Sequence, residues 1–165
     1  MNWEELFSMQ KSLDLYIKEN NKLNDKELFS HKYLALLVEL GELANETRCF
    51  KFWSSKSKGN RDDILEEYVD GIHFILSLGI EKGLNFSTED LDKTSLKTDH
   101  SETEKFNKVF EAAVNFNSQP TQDNYHLLFK QYLQLGRLLG FHEVDIQQAY
   151  YEKNKVNYER QLQGY

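Results

Sequence analysis

The chain has 165 residues, of which 39% are apolar and 13% aromatic, so its length suits one domain spanning residues 1–165 and its composition excludes intrinsic disorder. The formal net charge of −7 argues against duplex nucleic acid as a partner. Cys49 is the only cysteine, which excludes an internal disulfide bond; with no signal peptide and no apolar run long enough to span a membrane, we expect a soluble, cytoplasmic protein.

The pattern of apolar residues predicts an all-α protein, a helical bundle of about six helices, because no segment alternates with period two. The first predicted helix runs from about residue 3 to residue 18. Gln10 lies on it beside apolar residues. Its amide can both donate and accept hydrogen bonds, which suits the edge of a pyrimidine base. The alternative is an exposed amide with no such role.

The next two predicted helices, from about residue 30 into the low 50s and from about 63 to 82, each carry a pair of acidic residues three positions apart. The pairs are Glu39 with Glu42 and Glu67 with Asp70. Residues at this spacing share one helix face, where like charges repel each other. Carboxylates placed among apolar residues therefore need a cation, and ligand sets made only of carboxylates suit Mg²⁺ or Mn²⁺.

The alternative for each pair is an ordinary solvated helix face, on which Glu-x-x-Glu is common. On a helical wheel, however, the first pair lies at the edge of the apolar arc, and the second shares a stripe with Phe74. Two such pairs on successive helices are more specific than one pair. They predict a four-carboxylate metal site in a metal-dependent enzyme.

The segment between the acidic pairs combines aromatic and basic residues. Trp53 can stack on a nucleobase while Lys51, Lys56 or Lys58 contacts phosphate. The alternative for Trp53 is an anchor in the hydrophobic core.

The second half of the chain continues with a polar segment and three more predicted helices. Residues 85–102 are rich in Ser, Thr and charge, which indicates a surface connector. Helices are predicted at about 103–116, from Pro120 to about residue 139, and from about residue 143 almost to the end.

The last predicted helix carries Lys153, Asn157 and Arg160 at spacings of four and three, so these side chains share a face. Two cations and an amide on one stripe can hold phosphate oxygens. The alternative is an ordinary solvated helix face.

Glu-x-x-Glu followed on the next helix by Glu-x-x-Asp resembles the motif of the all-α nucleoside triphosphate pyrophosphatases, the MazG-like superfamily. Within it the chain resembles the dimeric dUTPases, through segments spread over nearly its whole length: MQKSLD, VELGELANE, KFW, EEYVDGIHF and AYYEKNKVNYERQLQGY. The resemblance implies a homodimeric helical bundle that hydrolyses dUTP to dUMP and pyrophosphate. It also gives dUDP as a second candidate substrate.

The resemblance also implies roles for the acidic residues. Two or more Mg²⁺ ions, for which Mn²⁺ can substitute, would be held by Glu39, Glu42, Glu67 and Asp70. Glu66 competes with Glu67, because either can pair with Asp70, and the motif spacing selects Glu67. Glu39 would orient and deprotonate a metal-bound water that attacks a phosphorus, which the resemblance gives as the β-phosphorus.

For the substrate, the resemblance implies recognition of uracil by Gln10 and Trp53. Phosphate and sugar would be held by Lys153, Asn157 and Arg160, with Tyr165 closing the site. Lys51 is a further candidate for phosphate.

Alternatives remain for specificity and role. One is a MazG-like pyrophosphatase of other or broad specificity, and another is a helical protein that binds a regulator, as some phage dUTPases do; enzyme and regulator-binding roles can coexist. A homodimer is also expected because aromatic stripes on the third to fifth helices would leave an apolar patch exposed on a monomer.

Overall fold

The computed structural model describes residues 1–23, 27–87 and 99–164. In these ranges the chain forms six helices: α1 (Trp3–Asn20), α2 (Phe29–Thr47), α3 (Arg61–Glu81), α4 (Glu102–Ser118), α5 (Gln122–Leu138) and α6 (Glu143–Leu162). The described residues include no strand, which confirms the predicted all-α bundle. None of the helices in these ranges is long and apolar enough to cross a membrane.

Two helix boundaries differ from the prediction. Helix α2 ends at Thr47 because Arg48 adopts the left-handed conformation, with φ 57°, and donates its N–H to the carbonyl of Ala44. Residues 48–60 are therefore a loop. Pro120 precedes helix α5 instead of starting it, since Thr121 is the capping residue. Residues 88–98 of the predicted connector, and Tyr165, lie outside the described residues.

Helix α3 lies at the centre of the bundle and contacts α1, α2, α5 and α6. It is apolar around most of its circumference, as expected of a helix packed on several sides. Its fully buried apolar side chains include Tyr68, Val69, Ile72, Ile75 and Leu76. Side chains at the edges of this surface, such as Glu67 and Asp70, are held on a helix that is fixed from several directions.

Helices α3 and α5 are joined by reciprocal tyrosine hydrogen bonds. The Tyr132 hydroxyl donates to the carbonyl of Tyr68 at 2.8 Å, and the Tyr68 hydroxyl donates to the carbonyl of Tyr132 at 3.2 Å. The two rings stack, with centroids 4.6 Å apart. Gly71 allows this approach, because a Cβ there would overlap the Tyr132 hydroxyl. These contacts fix α3 against α5 at Tyr68 and Gly71, directly beside Glu67 and Asp70 in the sequence.

The expectation of exposed aromatic stripes on the third to fifth helices is wrong. Their aromatic residues pack mainly inside the chain, and those that are buried include Tyr68, Phe106, Phe116, Tyr125, Phe129 and Tyr132. The more exposed apolar side chains on helices are aliphatic, such as Leu34 and Val38 on α2, which are 62% and 48% exposed. A homodimer would therefore use surfaces other than the predicted aromatic stripes.

Candidate active site

Three of the four predicted metal ligands converge between α2 and α3. Glu39 lies on α2, and Glu67 and Asp70 lie one turn apart on α3. One carboxylate oxygen of each lies within 4.8 Å of the others. Opposite oxygens around a Mg²⁺ ion are about 4 Å apart, so small side-chain movements bring all three into contact with one ion. We call these three residues the carboxylate cluster.

Glu42 is not part of the carboxylate cluster. Its side chain is exposed, although its charge contributes to raising the pKa of Glu39 and of Glu67. Its role as a fourth ligand stays a prediction. Glu66, the competitor of Glu67, is also exposed and pairs with Lys153 instead of joining the cluster. Of these two residues, only Glu67 belongs to the carboxylate cluster, and its role as a metal ligand stays a prediction.

Burial and neighbouring carboxylates disfavour the charged form of each of the three carboxyl groups. Partial burial, followed by the charges of Asp70, Glu42 and Glu67, raises the pKa of Glu39 to about 7. Burial is also the largest cause of the raised pKa values of Glu67 and Asp70. Carboxylates that repel each other in a partly buried place are stabilised by a divalent cation. Because the donors are all carboxylate oxygens, the cluster fits Mg²⁺ or Mn²⁺ better than zinc.

Lys153 of α6 supplies a positive charge to the cluster. Its ammonium lies 2.7 Å from Asp70 Oδ2 and 2.8 Å from Glu66 Oε1. Burial opposes the charged ammonium, but the hydrogen bonds to Asp70 and Glu66 raise the pKa of Lys153 above its usual value. The hydrogen bond from Lys153 to Asp70 lowers the pKa of Asp70 and so partly offsets the increase that burial causes.

A cavity of about 510 Å³ opens beside the cluster and is lined by residues of α1, α2, α3 and α6. We call it the four-helix cavity. It brings together six of the predicted site residues: Gln10, Glu39, Asp70, Lys153, Asn157 and Arg160. Its volume lies in the range of small-molecule sites. The predicted face of the last helix is thus part of a cavity wall, not an ordinary solvated surface.

Gln10 is buried in this wall, with 4% of its surface exposed, so the alternative of an exposed amide is wrong. Its amide nitrogen donates to Asp14 Oδ1 at 2.8 Å. Its amide oxygen lies 2.7 Å from His73 Nδ1 and accepts from the Tyr150 hydroxyl at 2.9 Å. Gln10 is therefore held by α1, α3 and α6 together.

Asp14, Lys32 and Ser77 also line the four-helix cavity, and no role was predicted for them. Asp14 accepts hydrogen bonds from Lys32 Nζ at 2.9 Å and from the Ser77 hydroxyl. Lys32 also pairs with Glu81 at 2.8 Å. The one sequence signal for this network is the spacing of four between Gln10 and Asp14, which places them on one face of α1. Lys32 and Ser77 come from distant parts of the chain and gave no local signal.

The structure does not bring Lys51 and Trp53 to the wall of the four-helix cavity. Both lie in the loop of residues 48–60, where Trp53 packs edge-on against Phe50 and Phe52. Trp53 is 65% exposed, so the alternative of a core anchor is wrong. The binding roles of Lys51 and Trp53 stay predictions.

A comparison with protein families agrees with the resemblance seen in the motifs. The sequence model of a family described as dUTPase matches residues 2–165, nearly the whole chain. Among curated proteins, no sequence matches the chain. The family match covers every element of the site described above, and dUTPases are hydrolases that cleave dUTP. The chain belongs to the dUTPase family.

Proposed function

We propose that this dUTP diphosphatase binds Mg²⁺ at the carboxylate cluster and hydrolyses dUTP to dUMP and pyrophosphate in the four-helix cavity. The observation that supports the metal site best is the convergence of Glu39, Glu67 and Asp70 from two helices. Glu42 would join them when two or more ions bind. Mg²⁺ held there would screen the charge of the triphosphate and make a water molecule more acidic.

In this proposal Glu39 orients the attacking water and takes its proton. Glu39 belongs both to the carboxylate cluster and to the lining of the four-helix cavity. In the metal-free protein, burial and the neighbouring carboxylates raise the pKa of Glu39 to about 7. A bound cation would lower this pKa again, so that the ionised carboxylate that accepts a proton is present at neutral pH. By the family resemblance we assign the attack to the β-phosphorus. The bond between this phosphorus and the oxygen that bridges it to the α-phosphorus then breaks, so that dUMP leaves with the bridging oxygen and the oxygen of the water stays on pyrophosphate.

The phosphates and the base of the substrate would be bound by different residues of the cavity. Lys153, Asn157 and Arg160 present two cations and an amide along one side of α6, suited to phosphate and sugar oxygens. Gln10, held from three helices, would contact uracil. Lys51 and Trp53 would contribute from the loop of residues 48–60, as phosphate contact and stacking surface.

Assays of dUTP hydrolysis with Mg²⁺, with Mn²⁺ and with EDTA test the metal site. Activity should require the metal and disappear with EDTA, while the far-ultraviolet circular dichroism spectrum stays helical. A panel of dUTP, dUDP, dCTP and dTTP tests selectivity. Hydrolysis of dCTP within about tenfold of dUTP would favour a pyrophosphatase of broad specificity over the uracil assignment, since a site that pairs a polar edge can discriminate by about 10⁴-fold. Thymine has the same polar edge as uracil and an added methyl group, so dTTP tests the fit around C5 of the base, where about 10- to 200-fold is expected.

A further inference from the structure

Asp14 determines which atom of the Gln10 amide faces it. Asp14 Oδ1 lies 2.8 Å from the amide nitrogen of Gln10, and Asp14 Oδ2 is ion-paired with Lys32 at 2.9 Å. An ionised carboxylate has acceptor atoms only. The Gln10 atom opposite it must therefore be the nitrogen, because an amide oxygen there would face another acceptor.

The orientation of the amide fixes its other partners. The Gln10 oxygen lies 2.7 Å from His73 Nδ1 and 2.9 Å from the Tyr150 hydroxyl, and an amide oxygen only accepts. His73 must then carry its proton on Nδ1. Burial lowers the pKa of His73 to about 3, which agrees with a neutral ring. Its Nε2 is buried and has no hydrogen-bond partner among the described residues.

These contacts leave Gln10 with one kind of group to offer a ligand. Both lone pairs of its oxygen are used, by His73 and Tyr150, and one of its two N–H bonds is used by Asp14. Within the described part of the chain, no acceptor takes the second N–H. Gln10 therefore offers a donor. A donor suits a carbonyl oxygen of a base and opposes an exocyclic amino group, since two buried donors that face each other are both unsatisfied.

We propose that Asp14 is a positioning residue for base selectivity, because it holds the Gln10 amide in the orientation that offers an N–H to the substrate. Bases with a carbonyl oxygen at this position are accepted, and bases with an amino group there, such as cytosine, are rejected. This inference rests on the proposed function, in which Gln10 contacts the base.

The variant Asp14→Asn tests the inference, because its amide can both donate and accept and so permits either orientation of Gln10. Glu81→Gln is a matched control. Like Asp14→Asn, it removes a negative charge that pairs with Lys32. The two acidic side chains are similarly buried, with 12% of Glu81 and 11% of Asp14 exposed. Within the described residues, Glu81 is hydrogen-bonded to Lys18 and Lys32 and not to Gln10. The measurement is the ratio of kcat/KM for dUTP to that for dCTP.

The ratio should fall about tenfold in Asp14→Asn, since one mispaired polar group in a buried site costs a factor of about 5 to 150. It should stay within about threefold of wild type in Glu81→Gln. An unchanged ratio in Asp14→Asn, or an equal fall in both variants, would overturn the inference.

The tautomer of His73 gives a second test, which needs no activity and whose first part needs only the wild-type protein. Nitrogen-15 NMR should show the Nδ1–H tautomer in the wild-type protein, and a share of the Nε2–H tautomer should appear in Asp14→Asn but not in Glu81→Gln. A wild-type His73 protonated on Nε2 would mean that the amide nitrogen of Gln10 faces it, and the inference would fail even if Asp14→Asn does not fold.

Gln10→Ala in the same kinetic assay separates the inference from the proposed function. If Gln10→Ala keeps the wild-type preference for dUTP, Gln10 does not read the base, and both its proposed uracil contact and the positioning role of Asp14 are overturned, while the hydrolysis of dUTP is unaffected. If Gln10→Ala loses the preference and Asp14→Asn keeps it, Gln10 reads the base without help from Asp14, and only the positioning role is overturned.

Discussion

Lys153 Nζ lies 2.7 Å from Asp70 Oδ2, so a lysine of the last helix neutralises part of the charge of the carboxylate cluster. The two residues are 83 positions apart, and their side chains are 11% and 16% exposed. A cation that occupies this place competes with a metal ion for Asp70. When a nucleotide enters with Mg²⁺, we expect Lys153 to exchange Asp70 for a phosphate oxygen.

This competition predicts opposite effects of Lys153→Met on metal and substrate. Mg²⁺ should bind the nucleotide-free variant more tightly than wild type, while KM for dUTP should rise, because a phosphate contact is lost. Without metal, the free energy of unfolding should fall by about 2 kcal/mol, since Asp70 loses its partner. Isothermal titration calorimetry measures the Mg²⁺ affinity, steady-state kinetics measures KM, and chemical denaturation measures the free energy of unfolding.

Lys155→Met is the control for this variant, since Lys155 lies on the same helix with 78% of its side chain exposed. It should leave Mg²⁺ affinity and KM close to wild type. Equal or weaker Mg²⁺ binding by Lys153→Met would contradict the competition.

The carboxylate cluster predicts loss of turnover with retained folding. Glu39→Gln, Glu67→Gln and Asp70→Asn should each lower kcat at least about 10²-fold, because a metal ligand or base is lost. Without metal, the melting temperatures of Glu39→Gln and Glu67→Gln should stay level or rise, since repulsion is relieved. Asp70→Asn also loses its ion pair with Lys153 and should melt at a lower temperature than these two variants while remaining folded. Glu66→Gln, which alters the neighbouring exposed carboxylate, should stay within about tenfold of wild type. Retention of more than about a tenth of wild-type kcat in both Glu39→Gln and Asp70→Asn would contradict the assignment of the carboxylate cluster as the metal site.

The raised pKa of Glu39 predicts a pH-dependent stability of the metal-free protein. The pKa rises from the ordinary value of 4.5 to about 7 in the folded state. Folding therefore favours the protonated carboxyl group, and its contribution, complete below about pH 4.5, is lost as the pH rises through 7. In EDTA, the melting temperature should fall more steeply over this range in wild type than in Glu39→Gln. If the melting temperatures of the two proteins change with pH in parallel, the pKa of Glu39 is not raised in the folded protein.

The exposed aromatic loop predicts a general effect on nucleotide binding. If Trp53 supplies a stacking surface, Trp53→Ala should raise KM for dUTP and dCTP by similar factors, of about tenfold, because stacking on a base does not depend on its polar edge. Phe52→Ala changes a neighbouring ring that is 93% exposed and serves as the control. A change in the ratio of dUTP to dCTP activity in Trp53→Ala would assign base reading, not stacking, to this residue.

The homodimer stays a prediction, and analytical ultracentrifugation tests it. The expected particle has twice the chain mass of 19.5 kDa. Because α2 exposes Leu34 and Val38 one turn apart, Leu34→Glu should weaken a dimer that uses this face. A stable, active monomer would contradict the prediction, and a Leu34→Glu variant that remains dimeric would place the interface elsewhere.

The sequence by itself determined the features that depend on neighbouring residues. Helical periodicity gave the six helices, and the spacing of three gave the two acidic pairs, because both are set by the geometry of a single helix. The family motifs gave dUTP as substrate. The ends of the helices were less predictable. The left-handed conformation of Arg48, which ends α2 at Thr47, has no glycine or asparagine to indicate it.

Only the tertiary structure decided which polar residues meet across helices. Ion pairs such as Lys32 with Glu81, and Lys153 with Asp70, depend on how α2, α3 and α6 pack, and that packing is set by apolar contacts far from the charges. The same packing separated Glu42 and Trp53 from the wall of the four-helix cavity and joined Gln10 of α1 to His73 of α3 in it. Spacing along one helix determines the direction in which each side chain points. The partner that it meets there belongs to another helix, and the position of that helix cannot be read from a local sequence pattern.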